Sequence, residues 1–147
     1  INCFVGENGI GRKTREGDKI TPKGEFKLLK IFYREDKVDI PKTSIPSQKI
    51  NKNSFWCADS KAKRYNSFCE KANNLLYEHL YRKDDLYDII ISCDFNVSPI
   101  SRYKGSAIFI HCSDNSTEFT EGCIAFKKKY FTDILKLISP ISRLIVY

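Results

Sequence analysis

Short apolar runs separated by polar, turn-forming stretches are the main pattern of this chain, and they predict a structure rich in strands. Residues 26–33, 86–93 and 106–112 are apolar or aromatic runs with the length of buried strands. Residues 143–147 (RLIVY) predict a further strand at the end of the sequence. Between 38 and 53, two prolines and many polar residues predict a long surface loop.

Helical periodicity is visible in two places. In 67–82 apolar residues recur at the spacing of one helix face, and His79 falls on that face, where a structural role is the simpler interpretation. In 130–138 the same spacing is followed by Pro140, which would end a helix. The apolar positions are Phe68, Ala72, Leu75, Leu76 and Leu80 in the first segment, and Tyr130, Phe131, Ile134, Leu135 and Ile138 in the second.

The segment 6–26 (GENGIGRKTREGDKITPKGEF) carries five glycines and one proline, which predicts turns that join short strands. Its first residues do not match the phosphate-binding pattern G-x-G-x-x-G, so a turn is expected there. With no internal repeat and no regular alternation of strand and helix, the whole pattern predicts a β-rich α+β fold. The length of 147 residues predicts a single domain over 1–147.

The composition is that of a globular protein, with 41% hydrophobic and 29% charged residues. No apolar run approaches the roughly 20 residues that cross a bilayer, so no membrane span is expected in this chain. The sequence begins with Ile1 and contains no methionine. We therefore expect it to be part of a longer translation product, with any targeting segment absent from this chain.

The formal net charge of +7 indicates an anionic partner such as nucleic acid, anionic lipid or an acidic cell-wall polymer. The alternative is that the lysines serve only solubility. Basic residues are interspersed with acidic ones and no nucleic-acid-binding signature is present, so nucleic acid is not the expected partner.

The six cysteines include no C-x-x-C pair, which argues against a zinc site or a thioredoxin-type motif. In an oxidising compartment they would allow up to three disulfides, and their spacing leaves the connectivity open. If one is a reactive free thiol, at least one more must stay unpaired. The cysteines are Cys3, Cys57, Cys69, Cys93, Cys112 and Cys123.

Candidate chemistry lies in GSAIFIHCSDNSTEFTEGCIAF (105–126), where His111, one of only two histidines, precedes Cys123 by twelve positions. A catalytic cysteine attacks as a thiolate, so it needs an imidazole, a helix N-terminus or both to ionise it. We expect His111 at the end of a buried strand and Cys123 just before a helix near Lys127. Gly122 permits close approach of substrate, and its N–H and that of Cys123 are suited to an oxyanion. The alternative is a core histidine and a small core cysteine.

Four blocks of the sequence, in register, carry a family resemblance. They are GENGIGRKTREGDKITPKG (6–24), WCADSKAKRYN (56–66), YEHLYRKDDLYDIIISCDFN (77–96), and the pair GSAIFIH (105–111) with TEGCIA (120–125). Together these blocks closely resemble the L,D-transpeptidase catalytic domain family, the cysteine enzymes of bacterial peptidoglycan.

The resemblance implies a mixed β-sandwich with a few peripheral helices, located in the periplasm and needing no metal or cofactor. Cys123 would be the nucleophile and His111 the general base, with the imidazole oriented by the backbone carbonyl of Cys112. Gly122 and Cys123 would supply the oxyanion-hole amides. The partners would be peptidoglycan stem peptides: the enzyme would release D-Ala from the third residue of a tetrapeptide stem and pass the acyl group to an amine of a second stem. Transfer to water instead would make the protein an L,D-carboxypeptidase.

The sequence also departs from the commoner family motif. Glu121 stands where a second histidine is usual, Ala125 stands where Asn or Arg is usual, and the spacing between base and nucleophile is shorter. These departures concern substrate and acceptor binding rather than the nucleophile. For Glu121, positioning an amine acceptor and capping the following turn are both open.

Substrate-binding candidates follow from the carboxylates of peptidoglycan stems, which favour a cationic cleft. Arg102 and Tyr103, with Lys104, precede the strand that leads to His111, although a solvated loop is the alternative for each. Ser106 either lies near the site or ends the strand, and Trp56 either lines the cleft or anchors its loop. For Asn8, Lys13 and Asp18, forming turns is the simpler role. A non-catalytic basic binding module with an inert Cys123 is the alternative from another functional class.

Overall fold

The computed structural model describes residues 1–39, 42–71 and 76–147, and strands are its main regular elements. A 3-10 helix at Lys128–Tyr130 and one α-helix, α1 (Phe131–Leu137), lie near the C-terminus. The strands are β1 (Ile10–Gly11), β2 (Thr21–Pro22), β3 (Gly24–Tyr33), β4 (Ser47–Lys49), β5 (Phe55–Cys57), β6 (Phe68–Cys69), β7 (Tyr77–His79), β8 (Ile89–Cys93), β9 (Phe109–Ser113), β10 (Ile124–Lys127) and β11 (Arg143–Val146).

A six-stranded mixed sheet forms the centre of the molecule. Its strands follow the order β10-β9-β8-β3-β11, and β4 pairs with β3. β8 runs antiparallel to β3 and β9, whereas β10 lies parallel to β9. The parallel pairing of β9 and β10 brings together two parts of the sequence that a polar loop separates, and this pairing positions the candidate site.

Apolar clusters cover both faces of the central sheet. Alternate residues of β8 point to opposite faces, and all five are buried. Coverage of both faces explains why this strand is a continuous apolar run rather than an alternating one. One face packs against α1 through Leu28, Ile31, Ile45, Ile89, Ile91, Ile110, Cys112, Phe131 and Leu135. The opposite cluster includes Trp56 of the three-stranded sheet β6-β5-β7 and consists of Phe32, Ile50, Trp56, Leu80, Tyr87, Ile90, Phe109 and Cys123.

The β-rich fold class is confirmed, as are the four predicted strands and the C-terminal helix. The predicted strands correspond to β3, β8, β9 and β11, and the helix expected at 130–138 is α1. Within the described residues α1 is the only α-helix, fewer than the sequence indicated. Part of the expected loop 38–53 forms β4, and residues 40 and 41 lie outside the described residues. No helix in the described ranges has the length and apolarity needed to cross a bilayer.

The helix predicted at 67–82 is wrong for the residues that the structure describes. This segment contributes β6 and β7, which both pair with β5, so that Phe55 lies opposite Cys69 on one side and His79 on the other. Cross-strand pairing with a distant part of the sequence overrides the local periodicity. His79 is exposed, and its ring packs 4.8 Å from that of Phe55. Ala72 and Leu75 of the predicted helix lie outside the described residues.

Gly6 lies where the N-terminal segment packs tightly against the backbone around Lys19. A Cβ at Gly6 would lie 2.2 Å from the Lys19 carbonyl oxygen. We expect Gly6→Ala to lower the free energy of unfolding by about 2 kcal/mol or more, measured by urea denaturation. Gly11→Ala is the matched control, because a Cβ there meets its nearest atom at 3.8 Å. Equal losses of stability in the two variants would contradict this packing.

Candidate active site

His111 on β9 and Cys123, which immediately precedes the neighbouring strand β10, project from the same face of the central sheet. In the β9–β10 register His111 pairs with Ala125, and Cys123 lies two residues before Ala125. Residues two apart on an extended chain share a face, and Cys123 belongs to the cluster on the side of the three-stranded sheet. The fold therefore brings the two predicted catalytic side chains together.

A cavity of about 530 Å³ opens beside these two side chains. This volume lies within the range of small-molecule sites in proteins. His111 and Cys123 both line the cavity, so the thiol and the imidazole face one shared space. The other lining residues are Lys13, Glu16, Gly17, Ala58, Glu78, Arg82, Leu86, Tyr87, Ser106, Ala107, Ile108, Asp114, Ser116, Thr117, Glu118, Phe119, Thr120 and Glu121.

The Cys123 thiol is held by the backbone of the strand beside it. Its Sγ accepts a hydrogen bond from the Phe109 N–H at 3.3 Å and donates to the Ala107 carbonyl at 3.1 Å. Burial raises the pKa of Cys123 to about 12, although the Phe109 N–H opposes this rise. The thiol is therefore protonated at neutral pH, whereas the sequence suggested an ionised sulfur. The expected helix N-terminus is also not there, because β10 follows Cys123 directly and α1 begins only at Phe131.

All six cysteines are free thiols, so no disulfide engages Cys123. Five of the six are buried, and Cys3 is exposed. The sulfur of Cys123 is consequently available for chemistry in the cavity.

The His111 imidazole is fixed in one tautomer. Its Nδ1 lies 2.8 Å from the Cys112 carbonyl oxygen, which can only accept, so Nδ1 carries the hydrogen and Nε2 keeps its lone pair. Burial lowers the pKa of His111 below its ordinary value of 6.5, and the carbonyls of Cys112 and Leu86 oppose this change in part. The ring of Tyr87 packs edge-on against the imidazole at 5.3 Å. A neutral imidazole with a free Nε2 has the properties of a general base.

The turn before Cys123 is held by two buried threonine hydroxyls. Thr120 Oγ1 donates to the Cys123 carbonyl at 2.6 Å and accepts from the Gly122 N–H at 3.1 Å. Thr21 Oγ1 donates to the same carbonyl at 3.3 Å. The Gly122 N–H, expected to face an oxyanion, thus already has a partner within the protein and would have to share its hydrogen.

The predicted substrate-binding residues divide into two groups. Ser106 and Glu121 line the cavity, whereas Arg102, Tyr103 and Trp56 do not. Arg102 donates to the Ser60 carbonyl at 2.9 Å, and Tyr103 is 79% exposed. Trp56 is buried, and its indole donates to Asn66 Oδ1 at 2.9 Å, so it anchors its own segment.

The cavity is acidic rather than cationic. Its lining includes five carboxylates and two basic side chains, Lys13 and Arg82. Each basic group is paired, with Lys13 bound to Asp18 and Arg82 to Asp84. The carboxylates are Glu16, Glu78, Asp114, Glu118 and Glu121. The positive net charge of the whole chain therefore does not predict the charge of the cavity, in which carboxylates outnumber basic groups.

Several residues of the cavity were missed from the sequence. Tyr87 donates its hydroxyl to Glu78 at 2.9 Å, and the Arg82 guanidinium lies over the Tyr87 ring. These residues belong to the block 77–96, whose match to the family was the one available signal. Lys13 also falls in a matched block, where only turn formation was expected. In the ranges 1–39, 42–71 and 76–147, no group of three or more His, Cys, Asp or Glu side chains is arranged to hold a metal ion.

Comparison with known protein families places the whole chain. The YkuD family profile, which describes the L,D-transpeptidase catalytic domain, matches residues 2–146. The chain has no match among curated proteins. The matched range covers essentially the whole sequence, including His111 and Cys123. The chain therefore belongs to the L,D-transpeptidase catalytic domain family.

Proposed function

We propose that this chain is a single catalytic domain that cross-links peptidoglycan stems as an L,D-transpeptidase, with Cys123 as nucleophile and His111 as base. The family acts on peptidoglycan, and this coarser role follows from membership. The observation that carries the finer proposal is the shared cavity, in which a buried thiol and a neutral imidazole face the same space. Because its substrate lies outside the cytoplasmic membrane, we place the activity in the periplasm.

The acylation step begins from a neutral thiol and a neutral imidazole, since burial favours the uncharged form of both. As Sγ attacks the carbonyl between the third stem residue and D-Ala, the thiol proton passes to His111 Nε2. The carbonyl π electrons move to oxygen, and an oxyanion forms. When the carbonyl re-forms, the C–N bond breaks and the D-Ala nitrogen takes the proton from the imidazolium. A thioester on Cys123 remains.

Deacylation reverses these roles with a second nucleophile. The acceptor amine, after losing its ammonium proton to solvent, attacks the thioester, and His111 accepts a second proton from it. As the C–S bond breaks and the new amide forms, His111 passes that proton to Cys123 Sγ, which restores the neutral thiol and the neutral imidazole. The acidic lining of the cavity supports an amine acceptor, because an acceptor stem arrives as a cation and is attracted by carboxylates such as Glu118 and Glu121. Water in place of the amine would give L,D-carboxypeptidase activity from the same thioester.

Mass spectrometry of muropeptides tests the proposal. The purified chain is incubated with tetrapeptide muropeptides, with and without an added acceptor stem. We expect cross-linked dimers together with released D-Ala. Tripeptide products alone would replace the proposal by a carboxypeptidase function. Unchanged substrate would contradict catalysis and favour a peptidoglycan-binding role.

A further inference from the structure

Lys13 is a buried cation at the cavity that the mechanism above does not use. Its side chain is 2% exposed, and its Nζ lies 2.5 Å from Asp18 Oδ1. Asp18 also accepts from the backbone N–H groups of Thr14, Arg15 and Ile20. Burial alone would raise the pKa of Asp18, but the bond from Lys13 and these three N–H groups lower it to about 2. The pair is therefore a salt bridge at neutral pH.

The Lys13 side chain runs past two glycines of the catalytic segment. A Cβ at Gly105 would lie 2.5 Å from Lys13 Cε, and a Cβ at Gly122 would lie 3.4 Å from Lys13 Nζ. Both glycines have left-handed φ angles, +103° and +129°. The absence of side chains at these positions thus admits the lysine and brings its ammonium next to the residue that precedes Cys123.

The ammonium has hydrogens to spare for the cavity. A lysine carries three N–H donors, and within the described residues Asp18 is the one acceptor bonded to Lys13. Lys13 also lines the cavity itself. The Gly122 N–H, by contrast, is engaged by Thr120 Oγ1. The Lys13 ammonium lies beside Gly122, the residue that precedes Cys123.

We propose that Lys13, held in place by Asp18, stabilises the anionic charge that develops on Cys123 Sγ and on the attacked carbonyl oxygen. The inference rests on the proposed function for the oxyanion, whereas the effect on the sulfur concerns the free protein. A cation in a water-poor site lowers the free energy of nearby negative charge because little solvent screens it. Proton transfer in this proposal is performed by His111, and Lys13 acts through its charge alone.

The other groups facing Cys123 allow the contribution of Lys13 to be isolated. The Lys13 charge lowers the pKa of Cys123, whereas the Glu78 carboxylate on β7 raises it, as does Cys93 on β8. Tyr87 also faces the site, and burial raises its pKa well above 10.0, so it stays neutral. Lys13 and Glu78 are therefore expected to act on the thiol in opposite directions.

The experiment measures the alkylation rate of Cys123 by iodoacetamide against pH, with peptide mass mapping to separate the six cysteines. The main variant combines Lys13→Met with Asp18→Asn, which removes both charges and leaves neither one buried alone. We expect the apparent pKa of Cys123 to rise and the alkylation rate at pH 7 to fall, by about tenfold for each pKa unit of the rise. Glu78→Gln is expected to move the profile in the opposite direction.

The matched control is the double variant Lys49→Met with Glu35→Gln, which removes an exposed salt bridge between residues that do not line the cavity. Its alkylation profile and turnover are expected to stay those of the wild type. Should the Lys13–Asp18 double variant fail to fold by thermal denaturation, Lys13→Gln removes the charge while keeping a donor for Asp18, and the same shift is expected.

Two outcomes would overturn the proposal. An unchanged alkylation profile in folded Lys13 variants would restrict Lys13 to a structural role. A rise in KM for the muropeptide without any change in the alkylation profile would make it a substrate-binding residue. If the wild type turned over no muropeptide and the profile still shifted, the proposed function would fail while the effect of Lys13 on the thiol would stand.

Discussion

Cys123→Ala is expected to abolish turnover of tetrapeptide stems, by about 10⁴-fold or more, while the protein stays folded. Alanine removes the sulfur that forms the thioester, and none of the other cavity-lining residues is a cysteine. The change leaves the Phe109 N–H without its acceptor, so we expect a loss of unfolding free energy below about 2 kcal/mol. Muropeptide products quantified by mass spectrometry, with thermal denaturation of the same sample, check both expectations.

Cys69→Ala is the matched control for this variant. Cys69 is also buried, but it packs with Phe55 and Cys57 in a separate cluster and does not line the cavity. Its turnover is expected to remain near that of the wild type. Surviving activity in Cys123→Ala, or an equal loss in both variants, would assign the nucleophile to another residue.

His111→Gln is expected to lower kcat/KM by about 10²- to 10⁴-fold, the usual contribution of a general base. Wild-type kcat/KM should fall toward acid pH, because the protonated imidazole cannot accept the thiol proton. Since burial lowers the pKa of His111, the midpoint of this fall should lie below 6.5. In the variant the acid limb should disappear, since the group that titrates is gone. The pH dependence of kcat/KM for both proteins measures these effects.

The second histidine supplies the control for this experiment. His79 is exposed on β7 and does not line the cavity. His79→Gln is expected to keep both the rate and the acid limb of the wild type. An acid limb that persisted in His111→Gln would show that another group governs it, and would remove His111 from the role of base.

The sequence correctly predicted the elements in which the pattern of apolar residues directly reflects which positions are buried. The run that became β8 is apolar because the sheet is covered on both faces there, and α1 carries its buried residues on one face. The segment 67–82 failed because its partners are distant in sequence. Phe68 and Cys69 pair with β5, and no feature of their own neighbourhood encodes that pairing.

The candidate site was likewise predicted only in part. His111 and Cys123 were identified from their types, their spacing and the family resemblance. The protonation of the Cys123 thiol could not be predicted from the sequence. The burial that raises its pKa arises from the packing of Tyr87, Phe109 and the three-stranded sheet around it. The acidic lining was also missed, since its carboxylates come from three separate parts of the sequence: Glu16, Glu78, and the segment that carries Asp114, Glu118 and Glu121.

Intact-protein mass spectrometry during turnover is the most direct test of a thioester on a single sulfur. The wild-type protein is mixed with a tetrapeptide donor in the absence of acceptor, quenched in acid and digested for mapping. We expect an adduct with the mass of the acyl stem lacking D-Ala, confined to the peptide that contains Cys123 and removed by hydroxylamine. Release of D-Ala without any adduct, or an adduct on one of the other five cysteines, would contradict it.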